Sequence, residues 1–250
     1  MLLSNVERDM YAGERLFILG TGPSLHAEDL SPLACEFTWG TGHLLDWDGL
    51  GFVPEFYGCG ELNTCLDLKA RLEPTGMSLW YVESHQVSRS GHRPDVVWSE
   101  LGLAPERWNV LHAIMKDRTD EDWPSFRIPV GIHEGEFHGL GDLLEYVGFG
   151  FKASLLHSAL QPALWLGFNP IYLLGFDLTP KGYVHDAEKS RRVVNPSDPY
   201  TDRERTALAV TLARTYAAGR TVVNLSQGTR DDVLPKARLA DVLKEAAWVP

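Results

Sequence analysis

The residues of this chain with the clearest chemical capacity fall in two short stretches. Gly20-Thr21-Gly22-Pro23-Ser24 offers small residues, a serine hydroxyl and backbone N–H groups, and Gly175-Phe176-Asp177 offers a glycine and a carboxylate. Each follows an apolar run, Leu16-Phe17-Ile18-Leu19 and Ile171-Tyr172-Leu173-Leu174. Glycine lets a backbone turn tightly and lets another group come close to it. A turn leaving the carboxyl end of a parallel strand is where open α/β sheets bind ligands, often phosphates. In that setting Asp177 would orient a ribose hydroxyl or hold a magnesium ion; the alternative is a cap or turn residue. The first stretch lacks the third glycine of a dinucleotide fingerprint and the Gly-Lys-Ser/Thr of a P-loop. A tight βα turn with no ligand is its other reading.

Other residues extend the set. Ser154 opens an apolar-striped segment expected to be a helix over Ser154–Leu166, whose amino end adds N–H donors and positive dipole for a phosphate. His185 lies in a polar loop expected over the carboxyl edge of the sheet, and histidine is suited to proton transfer near neutrality. A plain loop histidine is the alternative there. His133-Glu134-Gly135-Glu136-Phe137-His138 fits no zinc template, and its glycine breaks a helix, so it is expected to border the pocket as a loop. His157, on the apolar helix, is expected in the core. There is no Gly-x-Ser-x-Gly elbow and no context for a cysteine nucleophile.

The elements that must position these groups follow from the apolar pattern. Both apolar runs have the character of strands buried on both faces, as in parallel sheets. Further strands are expected at Phe37–Gly42, Phe52–Glu61, Ser78–Val82, Asn109–Ile114 and Thr221–Ser226. Helical spacing occurs over Thr64–Leu72, Thr201–Ala218 and Leu234–Ala247, and His26–Leu33 is a helical turn or a loop. Alternating helices and apolar strands predict a Rossmann-like α/β sandwich of three layers around a mostly parallel sheet. The prolines and tryptophans of residues 86–136 suggest a lid or insertion within a single α/β domain spanning 1–250.

Composition narrows the function classes. The 250 residues carry 23 Lys and Arg against 34 Asp and Glu, a net charge of −11, which disfavours nonspecific nucleic-acid binding. Cys35, Cys59 and Cys65 are an odd set without a CxxC pair, so buried free thiols in a reducing compartment are expected. No signal peptide is evident at the amino end, and the longest apolar stretch is broken by His157, Gln161, Pro162, Asn169 and Pro170. A cytoplasmic protein without a membrane span is the expectation.

Ile18-Leu19-Gly20-Thr21-Gly22-Pro23-Ser24-Leu25 resembles the G-x-GPSL opening of the MptE-like domain family and of the related bacterial sialyltransferases of lipooligosaccharide synthesis. Ala163–Leu178, with its Leu-Gly turn and Gly-x-Asp strand end, is similar to their second block. Val53-Pro54-Glu55-Phe56-Tyr57 resembles an intervening strand, Tyr183-Val184-His185 a loop with a histidine, and Asn224-Leu225-Ser226 the closing strand. The resemblance implies a nucleotide-dependent transferase, with glycosyl transfer from a CMP-activated acidic sugar as the leading reaction. It implies nucleotide binding by Gly20, Thr21, Gly22, Pro23, Ser24, Glu61 and Ser154, and catalysis by His185, Asp177 and Tyr183. No metal or cofactor is needed for that reaction. Its partners are a nucleotide or nucleotide-sugar and a small-molecule or glycan acceptor. The sialyltransferase histidine at the start of the later helix has no counterpart in Pro199-Tyr200-Thr201-Asp202-Arg203-Glu204. The resemblance also implies an alternative, an ATP-dependent hydroxymethylpterin diphosphokinase with magnesium on Asp177 and Glu61 and with Lys181, Arg191 and Arg192 as candidates for the phosphates, a solvated basic patch being the other reading of those three cations. A non-catalytic nucleotide or sugar-phosphate binding module is a further alternative.

Overall fold

A computed structural model describes residues 9–59, 67–68, 70–72, 78–83, 108–112, 159–160, 162–164, 166–177, 183–184, 219–229 and 234–246. Among these, β1 (Leu16–Leu19), β2 (Phe37–Thr41), β3 (Phe56–Cys59), β4 (Ser78–Glu83), β5 (Trp108–His112), β6 (Ile171–Leu174) and β7 (Val222–Asn224) build one sheet. Its order is β5-β4-β3-β2-β1-β6-β7, and every pairing is parallel. This is the α/β architecture that the alternation of elements implies. The chain steps outward from β1 to β5 and then places β6 on the other side of β1. The strand order therefore reverses between β1 and β6.

The sheet is held by burial on both faces. Leu16, Phe17, Ile18 and Leu19 are all inaccessible to solvent, and burying such a side chain contributes roughly 1.5–3 kcal/mol. Successive strand residues point to opposite faces. On one face Phe17, Leu19, Tyr57, Cys59 and Leu174 join Leu68, Leu72, Leu239 and Val242 in a single apolar cluster. On the other, the Phe168 ring meets Tyr11, Phe37 and Phe56 at centroid distances of 4.7, 5.6 and 5.7 Å. Cys59 is buried as expected, whereas Cys35 is exposed.

Several boundaries differ from the sequence expectation. The stretch after the first turn forms two 3-10 turns, Pro23–Ala27 and Ser31–Cys35, each with a proline in its opening positions. The third strand begins at Phe56 rather than Phe52, because pairing with β2 starts at Phe56 opposite Trp39. The final helix begins at Leu239, since Lys236 is bridged to Asn224 and Pro235 accepts the Asn224 N–H. Trp108–His112, inside the stretch expected to be an insertion, is the edge strand of the sheet. The rest of 86–136 and the helix expected over Thr201–Ala218 lie outside the described residues. Among the described residues no helix is long and apolar enough to cross a membrane.

Candidate functional site

β1 and β6 are neighbours with Leu19 opposite Leu174, so the two glycine turns leave the sheet side by side at its carboxyl edge. This is also where the strand order reverses, the position at which open α/β sheets form their ligand crevice. The turns interlock. Gly20 N–H donates to Leu174 O at 2.8 Å, and Gly22 N–H donates to Gly175 O at 2.9 Å. A Cβ on Gly20 would lie 2.7 Å from Gly175 O, and one on Gly22 would lie 2.5 Å from the same oxygen. Gly175 itself has φ +67°, a left-handed conformation suited to glycine.

Asp177 closes the junction. Its Oδ2 accepts the Ser24 N–H at 2.8 Å, and its Oδ1 accepts the Ser24 hydroxyl. The residue is 7% exposed, and a Cβ on Gly22 would sit 2.7 Å from its Cγ. The glycines thus make room for a neighbouring turn and a carboxylate from within the chain. The N–H groups of Gly20, Gly22 and Ser24, which the sequence offers to a phosphate, have internal acceptors here. Behind Asp177 a polar group fixes the exit of β6. Ser226 Oγ accepts the Phe176 N–H at 2.7 Å, while Asn224 Nδ2 and Thr229 Oγ1 donate to Phe176 O at 3.3 and 2.8 Å.

Tyr183 is carried to the same rim. Val184 N–H donates to Thr21 O at 2.8 Å and Val184 is buried, so the preceding tyrosine is anchored beside the first turn and is 51% exposed. Gly20, Thr21, Gly22, Pro23, Ser24, Asp177 and Tyr183 are therefore brought together. Glu61, Ser154 and His185 lie outside the described residues, as do Lys181, Arg191, Arg192, His157 and the 133–138 histidines.

The structure adds rim residues that sequence reasoning missed. Thr41, ending β2, donates its hydroxyl to Leu19 O at 3.0 Å and ties the exits of β1 and β2 together. In the next turn His43 Nδ1 lies 2.9 Å from Asp46 Oδ2. Tyr57 reaches across from β3. Its hydroxyl donates to Gly42 O at 2.7 Å and accepts the Leu45 N–H at 3.2 Å. A polar residue just beyond an apolar strand was the one available signal for His43, and the spacing alone did not distinguish it from an ordinary loop histidine.

Burial, with smaller contributions from the charges of Cys59 and Asp46, pushes the Tyr57 hydroxyl well above the ordinary tyrosine range. The unfolded chain releases that proton near pH ~10, while the folded chain keeps it. The folded state then binds more protons than the unfolded one, and stability falls as pH rises above about 10. Below that value the contribution is fully present. Tyr57→Phe is expected to flatten the alkaline limb of urea unfolding measured from about pH 8 to 11. It should also lower stability at neutral pH by about 1–2 kcal/mol, because Gly42 O and Leu45 N lose their partner.

An open cleft of about 590 Å³ lies at the opposite, amino edge of the sheet, lined by Glu14, Arg15, Cys35, Glu36, Glu55 and Pro170 among others. Its guanidinium is engaged, since Arg15 Nε donates to Glu36 Oε2 at 2.7 Å. Three carboxylates against one paired cation make it a poor receptor for a phosphate.

The described residues form a parallel α/β fold in which Ser24, Thr41 and Asp177 lie at the carboxyl rim, beside the point where the strand order reverses. No family profile matches the chain, and comparisons with curated proteins and with solved structures return no significant match. Among the described residues no group of three or more His, Cys, Asp or Glu is placed to hold a metal ion.

Proposed function

We propose that the chain is a nucleotide-dependent transferase that binds its donor at the carboxyl rim beside β1 and β6, with glycosyl transfer from a CMP-activated acidic sugar as its reaction. The observation that carries this reading is the meeting of Gly20–Ser24, Asp177 and Tyr183 at the reversal of strand order. In this reading Thr21 and the half-exposed Tyr183 face the donor, and Asp177 fixes the turn that supports them. The diphosphokinase reading is the weaker one, because it asks Asp177 to hold magnesium with oxygens that already accept from Ser24. The same internal bonding favours a second reading, a nucleotide or sugar-phosphate binding module without turnover.

Thermal unfolding with CMP, CDP, ATP and GTP tests the proposal. A ligand binding only the folded state adds about 2.7 kcal/mol at one hundred times its Kd. Stabilisation by the cytidine nucleotides is the expected result, and folded protein indifferent to all four nucleotides would overturn it. Binding without CMP release from a CMP-sugar would select the second reading.

A further inference from the structure

The exit of β7 carries polar residues that the core encloses. Asn224 is fully buried and Ser226 is 5% exposed. A buried polar side chain is costly unless its hydrogen bonds are made, and a bonded group of them fixes one geometry. Here the bonds converge on a single stretch of neighbouring backbone. Ser226 Oγ accepts the Phe176 N–H at 2.7 Å, and Phe176 O accepts from Asn224 Nδ2 and from Thr229 Oγ1. Thr229 Oγ1 also reaches Asp177 O at 3.1 Å. The Asn224 amide is itself held, since its Oδ1 accepts the Ser226 N–H at 2.9 Å. The other flank of the same stretch is the first glycine turn. Gly175 O accepts the Gly22 N–H, and the Asp177 carboxylate accepts the Ser24 N–H and hydroxyl. Residues 175–177 are thus bonded to the β1 turn on one side and to the β7 exit on the other. A shift of Asp177 moves Ser24 and Gly22 with it, and Thr21 lies between Gly22 and Gly20, whose N–H is fixed on Leu174 O.

We infer that Ser226 and Thr229, steadied by Asn224, are positioning residues of the donor site. They hold the Phe176–Asp177 backbone so that Asp177 sets the turn against which the nucleotide lies. They act through Asp177 and not on the nucleotide itself. The inference rests on the reading above, in which the donor binds beside Thr21 and Tyr183. A binding constellation has to be held to within about 0.5 Å by the groups behind it, and at metal sites such supporting partners are worth about 10–100-fold in affinity.

The Kd for CMP is measured by titration calorimetry for wild type, Thr229→Val, Thr229→Ser, Ser226→Ala and Arg220→Ala, each shown by circular dichroism to be folded at the temperature used. Urea unfolding gives the stability of each. Thr229→Val keeps the side-chain shape and removes the donor shared by Phe176 O and Asp177 O. It should raise the Kd by about 10-fold or more, as should Ser226→Ala, and Thr229→Ser should bring the Kd back to within about 3-fold of wild type. Arg220 bonds Gly167 O and Asp9 at the opposite, amino edge. Its loss should lower stability and leave the Kd within about 2-fold of wild type, because distant sites act independently. That contrast separates positioning from a general loss of stability. A wild-type Kd in folded Thr229→Val would overturn the inference and leave the nucleotide reading in place. Weakening by Arg220→Ala as large as that by Thr229→Val would do the same. If Thr229→Val fails to fold, Ser226→Ala decides, and a wild-type Kd there overturns the inference. Wild-type protein that binds no CMP removes the donor site, and the inference falls with it.

Discussion

Replacing Gly22 by alanine is expected to destabilise the chain by about 3 kcal/mol, the upper part of the range for overpacking a filled site. The added methyl would lie 2.5 Å from Gly175 O and 2.7 Å from Asp177 Cγ. Neither neighbour is the loose end of a flexible side chain. One is backbone, and the other is a carboxylate held by Ser24 N–H at 2.8 Å. Relief requires the two glycine turns to separate, which also stretches the Gly22 N–H to Gly175 O bond. For a chain of this size the melting temperature should fall by roughly 6–12 °C, at about 2–4 °C per kcal/mol. Thermal unfolding followed by circular dichroism measures it. A change within about 1 °C would show that the turns are not interlocked as described.

Asp177→Ala is the second large effect. The carboxylate accepts two hydrogen bonds from Ser24, both made out of bulk water. Bonds to an ionised group contribute about 1.5–3 kcal/mol each, and the two share one partner, so a net loss of about 3 kcal/mol is expected. Asp177→Asn keeps an acceptor for one Ser24 donor and should recover part of the loss. Combining Asp177→Ala with Ser24→Ala should cost less than the sum of the single changes, because both remove the same hydroxyl–carboxylate bond, while the bond from the residue-24 N–H is lost only with Asp177. Urea unfolding of the four variants closes this cycle. Additive losses would mean that Ser24 and Asp177 act independently.

β1 and β6 could be read closely because their apolar runs end at glycines, and nothing else in the chain competes for those positions. The location of Gly22 beside Asp177 followed from the same reasoning. Their use did not follow, because a glycine that admits a ligand and a glycine that admits a neighbouring backbone have the same sequence signature. Only the register of Leu19 with Leu174 shows that Gly175 O fills the space.

Other features were hidden for different reasons. The apolar pattern continues through Val53 and Pro54 and so predicts a strand from Phe52, whereas Val53 is 59% exposed and the strand starts at Phe56. His43 and Asp46 are three residues apart in a segment without helical periodicity. A single 3-10 turn, Leu44–Asp46, is what brings them together. The pattern predicts Tyr57 only as a strand residue, while its hydroxyl acts on a turn 12 to 15 residues earlier in the chain. Contacts of that separation depend on sheet order, which periodicity does not specify.

A crystal of the protein soaked with CMP tests the central claim most directly. The account predicts the nucleotide at the carboxyl rim, against Thr21 and Tyr183, with the Ser24–Asp177 bonds kept. A nucleotide seated in the amino-edge cleft among Glu14, Glu36 and Glu55, or one that leaves both edges empty at saturating concentration, would contradict it.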